Sequence, residues 1–184
     1  MKKQALVIDI EVVIMAVFAY ILSLIPLQLG SIDISLGMIP IIVLSLRRGL
    51  SPALASGLLW GILKLITGSS QILSPAQGFI EYIIAFLCAG LAGLFYHSFQ
   101  KTKHPFKVII LASLTGCVSR FFWHFIAGGI FWSDYAPKSI NPWIFSFIIN
   151  MGSAVLTTVV AVIVCLCLYH MAPSLFLKQK RARR

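Results

Sequence analysis

Residues 142–169 read PWIFSFIINMGSAVLTTVVAVIVCLCLY, a run without one charged side chain. A helix that crosses a bilayer needs about twenty consecutive apolar residues, because each residue rises about 1.5 Å through a hydrocarbon core about 30 Å thick. This stretch exceeds that length, and the rest of the chain shares its character. Of 184 residues, 59% are apolar and 11% are charged, whereas soluble domains carry about 45–50% and about 25%. A soluble globular enzyme, a disordered tail and a coiled coil are excluded on that ground. Outward from residues 142–169, further spans are predicted at about 6–25, 35–46, 52–66, 77–96 and 106–126. The expected fold is an all-α integral membrane protein, six transmembrane helices in one compact bundle over residues 1–184, with a basic cytoplasmic tail at 178–184. Ser51 and Pro52 supply a cap and a first helical position for the third span. Spans 35–46 and 52–66 are short for a full crossing, which predicts tilt or shelter behind neighbours.

The net charge of +10 follows the membrane and not a nucleic acid. With the amino terminus inside, Lys2, Lys3, Arg47, Arg48, Lys101, Lys103, Lys107 and the five basic residues from Lys178 to Arg184 all fall on the cytoplasmic side. Only Lys64 and Lys138 fall outside, and Arg120 lies within a span. That bias puts both termini in the cytoplasm and predicts outer loops near 26–34, 67–76 and 127–141. Asp9 and Glu11 interrupt the first apolar run, so no secretory signal is expected; they read as charges at a helix amino terminus. The four cysteines lie inside apolar runs and read as small apolar filler, not as metal ligands.

A charge inside a bilayer costs several kcal/mol unless something pairs with it, so the buried polar residues carry the functional information. Glu81 sits about one turn into the fourth span from its outer end, and Asn150 about two turns into the sixth. Arg120 lies deeper in the fifth, with His124 one turn outward on the same face, and Trp60 is near the outer end of the third. A carboxylate among Tyr82, His124, Trp132 and Trp60 suits a flat organic cation, because aromatic faces attract such charge and a carboxylate compensates it. Asn150 offers both a donor and an acceptor. Blander roles stand beside these: Arg120 paired with a carbonyl or with Glu81, Lys64 snorkelling to the interface, Asn150 linking helices, and Trp143 and Tyr135 in the interfacial belt.

No Walker loop, zinc-protease motif, nucleophile elbow or metal-binding acid cluster occurs in the sequence. A capture protein of this kind draws energy from a partner. Ala16, Ala19 and Ser23 share a face of the first helix, where either a partner helix or an internal neighbour can pack closely.

Several motifs resemble one family. These are Leu36-Gly37-Met38-Ile39-Pro40-Ile41, Arg47-Arg48-Gly49 and Gln77-Gly78-Phe79-Ile80-Glu81-Tyr82. The longest match, residues 120–150, holds Phe122-Trp123-His124, Phe131-Trp132, Tyr135-Ala136-Pro137 and Asn141-Pro142-Trp143. They resemble the thiamine-specific substrate-binding subunits (S-components) of energy-coupling factor transporters. The resemblance implies a protein of the bacterial cell membrane that is not an enzyme and has no cofactor. It would capture thiamine from outside and release it inside when docked on a transmembrane coupling protein and two cytoplasmic ATPases, which consume the ATP. By resemblance, Glu81 would face the thiazolium and aminopyrimidine region, Trp132 and His124 would line the rings, and Asn150 would bond the pyrimidine. Tyr82, Trp60 and the Gly128 backbone would complete the pocket, and Ala16, Ala19 and Ser23 would meet the coupling protein. Two departures from the family pattern are Phe145, where some members carry Tyr, and the lack of a Trp between Pro26 and Pro40. The rival readings are the same scaffold for another vitamin, an intramembrane enzyme using Glu81 and His124, and a stand-alone carrier.

Overall fold

The computed structural model describes residues 2–177, so the predicted tail at 178–184 lies outside the described residues. Among these residues the chain forms six helices: α1 (Lys2–Leu22), α2 (Met38–Arg48), α3 (Leu50–Ile66), α4 (Pro75–Lys101), α5 (Pro105–Phe131) and α6 (Pro142–Met171). Four of them, α1, α4, α5 and α6, are long and apolar enough to cross a membrane. Their outward side chains, such as Phe18, Leu114 and Ile163, are exposed, as a lipid-facing surface requires. The short α2 is sheltered, as its length predicted: every residue from Met38 to Leu46 is buried. A helix apolar on all sides has to be enclosed.

Helix ends follow local chemistry. Ser74 caps α4 by accepting from the Gln77 N–H, Pro75 takes the first position, and the Gln77 side chain accepts from the Leu73 N–H. Asn141 caps α6 through the Trp143 N–H, with Pro142 following. The α3 start differs from expectation. The helix begins at Leu50, not Pro52, and Ser51 lies inside it. Gly49 at φ +89° turns the chain directly from α2 into α3, a conformation that costs glycine little. No separate cap is needed there.

The inner end is fastened by polar contacts. Arg47 and Arg48 at the end of α2 both bond the Glu11 carboxylate on α1, with Arg48 Nη2 donating at 2.7 Å. Arg47 Nη1 also donates to the Ser174 and Leu175 carbonyls after α6, and Gln100 on α4 donates to the Leu46 and Phe176 carbonyls. This corrects the reading of Glu11 as a helix-end charge. α1 starts at Lys2, so Glu11 lies more than two turns in, where an ion pair satisfies it. Four helices and the basic residues meet at this end, which the charge bias makes cytoplasmic.

Small residues set the helix spacing. A Cβ on Gly57 or Gly61 of α3 would overlap the carbonyls of Phe86 and Tyr82 on α4. This Gly-x-x-x-Gly pair lets two backbones touch. Ala16 and Ala19 are buried, and Ser23 accepts from Trp60 Nε1 at 3.3 Å. Ala16 and Ala19 therefore pack inside the bundle and are not presented to a partner, while Ser23 is half-buried. Their size serves close approach to α3.

Gly61→Ala is expected to lower stability by about 1–3 kcal/mol through overpacking. Gly78→Ala meets nothing closer than 3.5 Å and should be neutral. Thermal unfolding of both variants in detergent checks the pair; equal midpoints would remove the close approach from the account.

Candidate functional site

The site is a cavity of about 590 Å³ at the end opposite the arginine clamp, within the usual range for small-molecule pockets. One wall is α5. Arg120, His124, Gly128 and Trp132 recur every four residues and all line it, forming a stripe along one helix face. From Arg120 at the floor to Trp132 at the mouth is about 18 Å at the helical rise of about 1.5 Å per residue.

The second wall is α4, and its backbone is not regular. Phe79–Ile84 forms a π turn, a feature often found at functional sites. The wider turn directs Glu81, Tyr82 and Phe86 all into the cavity. Its carbonyl at Tyr82 is the group received by Gly61, so the glycine pair and the π turn act together. Glu81 is 7% exposed, and its Oε1 accepts from Trp132 Nε1 at 2.7 Å. That bond crosses the mouth from α4 to α5. The Tyr82 hydroxyl donates to the Gln71 carbonyl at 3.4 Å.

The third wall is α6, with Phe145, Ser146, Ile149 and Asn150. The Ser146 hydroxyl donates to the Phe125 carbonyl at 2.8 Å, locking α6 to α5. Asn150 Nδ2 donates to the Ser146 carbonyl at 2.9 Å and to its Oγ at 3.2 Å, so its amide orientation is fixed. A Cβ on Gly128 would collide with the Ser146 hydroxyl; glycine there admits the close approach of α6 to α5.

A short hairpin closes the outer side. Gln28–Leu29 (β1) pairs antiparallel with Ile32–Asp33 (β2), and Gly30 at φ +62° sits in the turn, as tight hairpins favour. The Asp33 and Ser35 N–H groups donate to the hydroxyls of Ser153 and Thr157 on α6. Gln28, Ser31 and Asp33 line the cavity.

Six of the seven predicted ligand residues line this one cavity: Glu81, Tyr82, His124, Gly128, Trp132 and Asn150. Trp60 does not. It is fully buried, its ring centre 4.5 Å from that of Phe86 and 4.7 Å from the Arg120 guanidinium carbon. Trp60 supports the floor from behind Phe86 and Arg120, and α3 itself reaches the cavity one turn later, through Lys64. Lys64 lines the cavity instead of snorkelling away, and Arg120 pairs with neither a carbonyl nor Glu81. Tyr135 lines the mouth, while Trp143 packs against Phe125 at 5.7 Å between ring centres. Asp33, Gln71, Phe86 and Ser146 were missed. Phe86 follows from the π turn, which no sequence pattern signalled; Ser146 stands four residues before Asn150 and was within reach of the helical spacing.

The sequence matches the family described as thiamine transporter protein (Thia_YuaJ) over residues 9–177. The chain belongs to that family. It is similar to a protein named thiamine transporter ThiT from Lacticaseibacillus paracasei, with 43% identity over 186 residues, 95% of this chain and 92% of the relative. A Bacillus subtilis protein of the same name is 32% identical over 189 residues, covering 97% and 98%. A solved structure of ThiT from Listeria monocytogenes matches with a TM-score of 0.91 at 39% identity, covering 95% of this chain and 99% of that one. The chain is therefore a multi-pass bacterial membrane protein of a transport family, not an enzyme family.

The bond across the mouth yields a stability test on protein without ligand. Trp132→Phe leaves a buried carboxylate oxygen without its donor and should cost about 1.5–3 kcal/mol. Adding Glu81→Leu should restore much of that loss, since removing both partners is far milder than removing one. A double-mutant cycle by thermal unfolding checks it, and additive losses would show that the bond carries no coupling.

Proposed function

We propose that this chain captures thiamine from the outer side of the membrane and passes it inward as the substrate-binding subunit of an ATP-driven, multi-subunit importer. The observation that carries the reading is the buried Glu81 carboxylate set among Trp132, Tyr82 and His124 in a cavity closed only by the outer hairpin and loops. Thiamine is a flat organic cation. Its thiazolium charge is offset by the carboxylate, and its rings fit between aromatic faces. Asn150, whose Nδ2 donates to the Ser146 carbonyl and hydroxyl, presents its carbonyl oxygen to the amino group of the pyrimidine. The names of the relatives favour the same ligand.

The energy source belongs to partners in this proposal. The sequence carries no nucleotide-binding loop, and the resemblance to energy-coupling factor subunits supplies a transmembrane coupling protein and two cytoplasmic ATPases. No cofactor takes part. With Ala16 and Ala19 buried inside the bundle, coupling would use other surfaces.

Thiamine should quench the tryptophan emission of the purified chain saturably, and Trp132→Phe should remove most of the change. Glu81→Gln should weaken thiamine at least tenfold, about 1.4 kcal/mol. Folded wild type without a saturable response, or unchanged affinity in Glu81→Gln, would refute the proposal.

A further inference from the structure

We propose that Arg120 and Lys64 form a binding site for a small inorganic anion at the floor of the cavity, beneath the outer hairpin. A separate chamber of about 280 Å³ lies there, and it shares Gln28, Asp33, Lys64 and Arg120 with the main cavity. Arg120 is 5% exposed. Its guanidinium carbon lies 4.4 Å from the ring centre of Phe86, 4.7 Å from Trp60 and 5.0 Å from Phe121.

Those rings attract the cation through their π faces, but they offer no lone pairs to its in-plane N–H groups. Guanidinium has five such donors and stays charged. Nε and Nη1 are buried without a hydrogen-bond partner among the described residues. A buried polar group left in that state is costly, and an acceptor in the chamber that Arg120 lines would offset the cost. Asp33 is the carboxylate that lines it, yet among the described residues it forms an ion pair with neither cation. Within this chamber two cations thus face one carboxylate, Glu81 lying in the main cavity. A halide or inorganic phosphate would accept from Arg120 and Lys64 and offset the excess positive charge.

The site has a consequence for capture that rests on the thiamine reading. An anion at the floor and a cation nearer the mouth attract each other, and linkage makes each strengthen the other's binding. The expected gain in thiamine affinity is about fivefold or more.

Crystals of the ligand-free full chain grown with sodium bromide test the site without thiamine. An anomalous peak within hydrogen-bond reach of Arg120 and beside Lys64 is expected. It should vanish in Arg120→Gln and fade in Lys64→Gln, the second variant serving if the first does not fold. Water alone at that position, or a peak that survives Arg120→Gln, overturns the proposal. In solution, thiamine should bind wild type more tightly in bromide than in gluconate at equal ionic strength, and Lys64→Gln should shrink that ratio. Equal affinity in the two salts would contradict the linkage. Loss of thiamine binding in both salts with the peak intact would strike only the thiamine reading.

Discussion

The structure depends on keeping one carboxylate inside an apolar bundle. Glu81 lies in a helix that crosses the membrane, 7% exposed, and an ionised group there is costly without compensation. The Trp132 indole supplies one hydrogen bond, and the Gln77 side chain one turn earlier on α4 supplies another. Much of the surrounding architecture serves that placement. The π turn carries Glu81 and Tyr82, Gly61 admits its Tyr82 carbonyl while Gly57 admits the Phe86 carbonyl one turn on, and Ser74 with Pro75 fixes where α4 begins.

The two ends of the bundle divide the work. At the inner end, Glu11 is clamped by two arginines, and the chain following α6 is tied to the same group. At the outer end the contacts are lighter, a two-residue hairpin held to α6 by the Ser153 and Thr157 hydroxyls. Regions with few buried contacts and exposed hydrogen bonds open most readily. A binding cavity that must admit a ligand from outside is placed under the less strongly fastened end.

The helices were legible because lipid imposes length and apolarity on each span. Side chains such as Glu81, His124 and Asn150 stood out because polar groups inside a span are rare. What stayed hidden depends on neighbours. Ala16 and Ala19 have the same small side chains whether they meet a partner or α3, and only the packed bundle decides between them. The Gly57-x-x-x-Gly61 pattern was present in the sequence, but its meaning comes from the π turn it receives, which has no local signature. The depth of Arg120 was legible; its cage of Trp60, Phe86 and Phe121 was not, because the three rings come from α3, α4 and α5. Asp33 escaped notice because its hairpin is polar and lies outside the spans.

The central claim is that Glu81 recognises a positive charge on the ligand, in this chain alone. Calorimetric titration of the detergent-purified protein with thiamine, and with an uncharged isostere carrying carbon in place of the thiazolium nitrogen, tests it most directly. The account predicts one-to-one binding of both, with thiamine at least tenfold tighter, about 1.4 kcal/mol. Equal affinities would show that the cavity reads shape and not charge, and would contradict the account.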